Sequence, residues 1–423
     1  RHIIVSDGLI TYRKNSGPIS RLIISKINLT ANETNTDFGI QFSGKINEIP
    51  LDFDASTVKI DAQQTQFKLN SLKSSSNQVS GRLLIKNNPM SISGEFNSDK
   101  IKLSDFSAAD APATASGEYN VPHIELPVQM LKNIDINVPI KIKTLVLDKV
   151  NLDNVNINIV ASNNVLHIGF NPALSFAEGK INADLTYDLK PNVPTLNLSI
   201  NSSAMKIETI FKTIQSKSPV TGSSLELNSN LHSSGTDLTT IVANLNGHIL
   251  ATASPGNYLN ESASVTDLIS NMLASMITFD KRQPDTAFSC AVMNFQVNNG
   301  NATANNGIGL EATSVNVLGS GKVDLRNGRI NFTITPKNMI STSGIDLSQL
   351  SVAQLITVNG TIAKPTMSLN PINILASGGA VATTIMANAA MGIPGGIAAI
   401  AEGMMGKGKN SEQVSPCKTA LGN

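Results

Sequence analysis

Apolar and polar residues alternate with a period of two along most of this 423-residue chain, and few folds accommodate that period. Successive side chains of an extended strand point to opposite faces. The segment TLNLSIN, residues 195–201, therefore puts Leu196, Leu198 and Ile200 on one side and Thr195, Asn197, Ser199 and Asn201 on the other. Residues 322–335, KVDLRNGRINFTIT, do the same around a turn. Val323 and Leu325 precede Arg326-Asn327-Gly328-Arg329, and Ile330, Phe332 and Ile334 follow it. Asn-Gly between alternating runs signals a hairpin, because both residues accept positive φ. Shorter units at Ile40 and Phe42, Leu51 and Phe53, Phe67 and Leu69, Leu83 and Ile85, Met90 and Ile92, and Ile101 and Leu103 recur every 8 to 12 residues or so, the spacing of an antiparallel meander.

Composition explains what the second face is made of. Only 15% of residues are charged against 41% hydrophobic, so Asn, Ser and Thr fill most polar positions, and the apolar content is too high for disorder. Helical periodicity is confined to short stretches near 204–216 and 264–279, with a third expected at Asp346–Leu355. Helices this few would cap or cross a sheet. The length exceeds what one compact core usually fills. The aperiodic, Pro-containing stretch 107–122 predicts a linker between an N-terminal sheet segment, 1–106, and a larger β domain, 123–371. Residues 372–423 form an Ala/Gly-rich apolar tail, read as a helical hairpin of small residues that packs on the sheet or touches a membrane. The opening at Arg1, without an export signal, reads as a fragment or processed chain whose signal or anchor lies upstream.

Several functions find no support. With 32 basic against 31 acidic residues, no field steers the chain to nucleic acid, and the absence of Trp removes stacking platforms for bases or sugars. The five histidines, His2, His123, His167, His232 and His248, are scattered without metal-ligand spacing, and no nucleophile elbow, zinc-protease or phosphate-loop motif occurs. No catalytic residue, metal or cofactor is expected, and the chain is read as not an enzyme. Cys290 and Cys417, the only cysteines, are expected to form one disulfide that folds the apolar run back onto the sheet, the alternative being that both remain free. The one-sided strands leave two readings open. Two sheets close on each other and the apolar face is core, or a curled sheet stays open and receives acyl chains.

The residues are similar to the AsmA family. IIVSDGLITYRKNSG followed by ISKINLT resembles that family's strand, Asp-Gly turn, strand unit. From Leu126, LDKVNLDNVNINIVASNNVLHIGFNPALSFAEGKINADLTYDL and NLNGHILATASPGNYL continue the likeness. AFSCAVMNFQVNNGNATANNGIGLEATSVNVLGSGKVDLRNGRINFTITP and LITVNGTIAKPTMSLNP close it, so that it is best over residues 120–371. The resemblance implies a mainly β fold, an elongated, curved antiparallel sheet groove with a few short helices and an Ala/Gly-rich C-terminal helical segment. It also implies a periplasmic protein, anchored to the inner membrane by an upstream segment, that binds phospholipid or another acyl-chain lipid between inner and outer membrane. Alternation and resemblance together make Leu196, Leu198, Ile200, Val323, Leu325, Ile330, Phe332 and Ile334 the candidate groove lining. The rival expectation is a scaffold for outer-membrane protein assembly whose apolar face is closed.

Overall fold

The alternation is realised as strand. The computed structural model describes residues 1–13, 19–34, 36–106, 120–147, 150–214, 216–259, 285–313, 316–337, 356–362, 364–369 and 415–422. These form a mainly β, mixed-sheet protein with short helices. Two compact units divide the chain: Arg1–Pro112, Leu126–Phe176 and Lys180–Leu198 make the first, and Ala113–Glu125, Ala177–Gly179 and Ser199–Asn423 the second. The division falls within the strand carrying Leu196 and Ile200, whereas the sequence places its linker at 107–122.

The first unit opens with β1 (His2–Arg13), β2 (Ile19–Ala31), β3 (Asp37–Ile46), β4 (Ile49–Lys59), β5 (Gln64–Ser74), β6 (Asn77–Asn87) and β7 (Met90–Lys102), each antiparallel to the one before. The next strand, β8 (Asp135–Leu147), joins β7 in parallel, an exception within the mostly antiparallel sheet that was expected. A parallel neighbour requires a crossover. The chain supplies one between Leu103 and Ile134 that includes α1 (Val128–Leu131). The ladder thus continues across the predicted linker, whose residues 107–119 lie outside those described. Antiparallel pairing then resumes through β9 (Val150–Ser162) and β10 (Val165–Phe170), followed by β11 (Leu174–Phe176), β12 (Gly179–Asp188) and β13 (Thr195–Ser203), with β12 paired to β10. Two-residue turns with positive φ at Asn47 and Glu48 and at Asn163 and Asn164 close the β3–β4 and β9–β10 hairpins, as right-handed strand twist requires.

The second unit contains β14 (Met205–Lys206), α2 (Ile207–Thr213), β15 (Val220–Thr221), β16 (Ser224–Ser234), α3 (Leu238–Ala243), β17 (Asn246–Ala253) and β18 (Gly256–Leu259). An antiparallel ladder follows through β19 (Asp285–Asn298), β20 (Asn301–Ala312), β21 (Asn316–Asp324), β22 (Arg329–Lys337), β23 (Ile356–Thr361) and β24 (Pro365–Leu369). A last helix, α4 (Pro416–Leu421), lies against β19, β20 and β21. Of the expected helices, the first is shorter than predicted and begins after two residues of strand. Those at 264–279 and Asp346–Leu355, and the Ala/Gly-rich run, lie outside the described residues. The unexpected α3 starts at Asp237, whose carboxylate accepts the Thr240 N–H at 2.9 Å. Among the described residues no helix is long and apolar enough to cross a membrane.

Candidate functional site

Side chains paired across neighbouring strands share a face, so the registers of the first unit decide what each face carries. One row runs Ile3, Leu29, Ile40, Ala55, Leu69, Gly81, Phe96, Ile140, Ile157, Phe170, one residue from each of ten consecutive strands. A second row, Val5, Ile27, Phe42, Phe53, Leu72, Val79, Ser98, Ile142, Val155, is apolar save for one serine. Single-residue irregularities at Ser25 in β2, Asn70 in β5 and Asp99 in β7 re-phase individual strands so that the rows stay aligned. Gly81 serves the same end: a Cβ there would stand 2.4 Å from the Phe96 ring, so the glycine lets that ring lie across the sheet.

This face is apolar, yet most of it is not sealed. Ile24, Phe42, Ala55, Leu69, Val138, Ile142 and Val155 are buried. Around them Ile40, Leu51, Phe53, Leu83, Ile85, Ile92, Phe96, Ile136, Ile140, Ile157 and Ile159 remain partly exposed. A closed sandwich would bury them.

The opposite face is polar and satisfies itself. Asn28 Nδ2 donates to Gln41 Oε1 at 3.2 Å, Gln41 Nε2 to Asp54 Oδ2 at 3.0 Å, and Asn70 Nδ2 to Asp54 Oδ1 at 2.8 Å, with His2 bonded to Asn28 at the β1 end. Further along, Glu95 pairs with Arg82 at 3.5 Å and Lys141 at 3.3 Å. A shallow hollow of about 380 Å³, lined chiefly by Gln78, Ser80, Asn97, Asp99, Lys141, Lys143, Asn154 and Asn156, is too polar to hold an acyl chain.

Four carboxylates sit below the ordinary Asp range, each through hydrogen bonds to its ionised form. Asn70 and then Gln41 lower Asp54, Ser76 lowers Asp105, Thr240 lowers Asp237 and Arg326 lowers Asp324. A depressed folded pKa contributes stability that is complete above the unfolded value and lost as pH falls through the folded one. Thermal unfolding followed by circular dichroism should therefore show no loss of stability from these groups between about pH 5 and 8, and a decline below about pH 4. The Asp54→Asn variant should lose part of that decline.

The second unit treats its apolar face differently. Tyr258, Ile334 and Val358 are 0% exposed, Val317 1% and Ile330 5%, in a core with Val220, Phe288 and Leu310. Of the sequence candidates, Ile330 and Ile334 therefore belong to a sealed interior, with Val323 and Phe332 packed against it. The Phe332 ring crosses Gly321, where a Cβ would stand 2.2 Å from it. Leu325 lies beyond the end of β21, in the turn. The turn is Leu325–Gly328 rather than Arg326–Arg329, because the Asp324 carboxylate gathers the Arg326 N–H at 3.0 Å and its guanidinium at 2.7 and 2.9 Å, and only Gly328 takes positive φ. On β13, Leu196 is 8% exposed, while Leu198 and Ile200 are half-buried.

Cys290 and Cys417 are joined by a disulfide, with Cα atoms 6.5 Å apart. It lies on the side of the sheet away from the sealed core, where Cys417 and Ala420 of α4 cover Val292. Glu311 Oε1 accepts the Ser415 hydroxyl at 2.6 Å and the Cys417 N–H at 3.1 Å, and Asn294 Nδ2 donates to the Ala420 carbonyl at 2.8 Å. Cys290, Cys417 and Glu311 gather their ligand-type atoms in one place, but both sulfurs are committed to each other. The histidines stand apart in both units, for example His167 against the Thr186 hydroxyl at 3.1 Å and His248 against Asn294 at 2.5 Å.

In comparison with known proteins, the model of the AsmA family matches residues 24–306, more than half of the chain. The match reaches further toward the N-terminus than the best part of the sequence likeness and stops before its closing segment, LITVNGTIAKPTMSLNP. No curated protein and no solved structure matches.

Proposed function

The chain belongs to the AsmA family, and from that premise we propose that it is a non-enzymatic periplasmic protein that holds acyl chains on the open apolar face of its first unit. Family membership suggests a role of the outer-membrane biogenesis or lipid-transport type, in association with membranes and lipids. The finer reading is phospholipid binding in traffic between inner and outer membrane. The observation that carries it is the row from Ile3 to Phe170, which runs over ten strands and in which only Ala55 and Leu69 are buried.

Magnitudes support the reading. Nine gaps between strands at about 4.8 Å give a row roughly 43 Å long, whereas one leaflet's acyl chains occupy about half of a ~30 Å hydrocarbon core. More than one chain fits end to end. Each buried methylene contributes about 0.8 kcal/mol, so shielding half of a 16-carbon chain gives roughly 6 kcal/mol, enough for binding without a head-group site. The sealed core around Ile334 favours a structural role for the second unit, in line with the scaffold alternative for that part of the chain. Native mass spectrometry of the purified chain should detect phospholipid, and delipidated protein should take up a fluorescent fatty acid. Lipid-free protein that also takes up none would overturn the reading.

A further inference from the structure

Among the described residues, Cys290, Glu311 and Cys417 form one group of metal-ligand side chains, with ligand atoms all within 4.8 Å of one another. Neighbouring strands supply two of them. Cys290 on β19 is paired directly with Glu311 on β20, so their side chains stand on the same face. The helix α4 brings Cys417 over them. With the sulfurs bonded to each other the group acts as a staple. A disulfide is only one of two redox states of its cysteines, and the half-buried Cys290 leaves the bond open to exchange with a dithiol.

Reduction leaves in place contacts that keep the group together. The hydrogen bonds that hold α4 to the sheet use no sulfur: Glu311 Oε1 accepts the Ser415 hydroxyl and the Cys417 backbone N–H, and Asn294 donates to the Ala420 carbonyl. Two of them also orient the Glu311 carboxylate, the task that outer hydrogen bonds perform around a metal ligand. Two thiolates bound to tetrahedral zinc at about 2.3 Å lie roughly 3.8 Å apart, and Cα atoms separated by 6.5 Å lie within reach of that spacing. Paired sulfurs with one carboxylate suit zinc rather than calcium or magnesium, which take oxygen ligands.

We propose that, once reduced, Cys290, Cys417 and Glu311 form a zinc site that takes over from the disulfide in holding α4, with water as the fourth ligand. A dithiol supplies two electrons and two protons to the sulfurs and becomes a disulfide itself. Zinc then replaces the two thiol protons, which pass to solvent. The site is independent of what the first unit carries. The test uses the full chain, reduced with a phosphine, freed of metal and titrated with cobalt and then zinc ions. Cobalt should produce a sulfur-to-metal charge-transfer band that saturates at one equivalent and is displaced by zinc, and the oxidised chain should produce none. Zinc should raise the urea midpoint of the reduced chain and leave that of Cys417→Ala unchanged. In reduced Glu311→Gln the zinc affinity should fall about tenfold or more, and Glu311→His, which offers a different ligand at the same place, should recover it. No charge-transfer band in reduced protein, the same affinity in Glu311→Gln as in the parent chain, or no recovery in Glu311→His would overturn the proposal.

Discussion

Replacing both cysteines, as Cys290→Ala with Cys417→Ala, should lower the unfolding free energy by about 3 to 5 kcal/mol, the largest loss expected from any change outside the core. The bond spans 127 residues of sequence. In the chain-entropy account, tying so distant a pair removes much of the freedom of the unfolded chain. The native side of the balance also suffers, because α4 has only six residues and cannot hold helical structure on its own. It keeps its place through the disulfide, the Glu311 contacts and the Asn294 bond. Urea titration of oxidised, reduced and doubly substituted protein measures the effect. Equal midpoints for all three would mean that the hydrogen bonds suffice and the sulfur bridge adds nothing.

The second large effect separates two isoleucines that look alike in sequence. Ile334→Asp places a carboxylate at a fully enclosed position and should cost more than about 4 kcal/mol, enough to unfold the second unit. Ile140→Asp changes a partly exposed residue on the eighth strand of the row, at the edge of the Ile142, Val155 and Leu174 cluster, where water reaches part of the new charge. Its stability cost should be about 1 to 2 kcal/mol, while acyl-chain uptake should fall to background because the row is interrupted. Denaturation curves and fatty-acid titrations on the two variants give four results. A folded Ile140→Asp protein with unchanged uptake would place the lipid elsewhere.

That contrast marks the limit of what the sequence could reveal. Both isoleucines lie in alternating strands, VPIKI around Ile140 and FTIT around Ile334, and a period of two states only that one face is apolar. Whether the face is covered depends on strands far away in the chain, which is why Ile330 and Ile334 read as groove lining and lie in a core. Register was likewise hidden, because it is adjusted by Ser25, Asn70 and Asp99, none of which differs locally from its polar neighbours. The parallel meeting of β7 and β8 has no local signal either. Terminal chemistry was more legible than the reading made of it. Ser415, Pro416 and Gly422 supply an N-cap, a first-turn proline and a left-handed cap around α4, in a stretch read only as the end of the Ala/Gly-rich tail. Asp324 was the missed determinant of the turn, since a carboxylate before Arg-Asn-Gly draws the turn one residue back.

The amide chain from Asn28 through Gln41 and Asp54 to Asn70 bears on how the outer side of the sheet meets its surroundings. Only the Asn28–Gln41 bond joins two neutral amides; the other two are accepted by the Asp54 carboxylate, so the chain carries one negative charge. Around Asp54 this face therefore draws no favourable energy from an anionic bilayer, in contrast to a surface laced with lysine. If the apolar face takes acyl chains as proposed, this part of the polar face does not compete with it for anionic head groups.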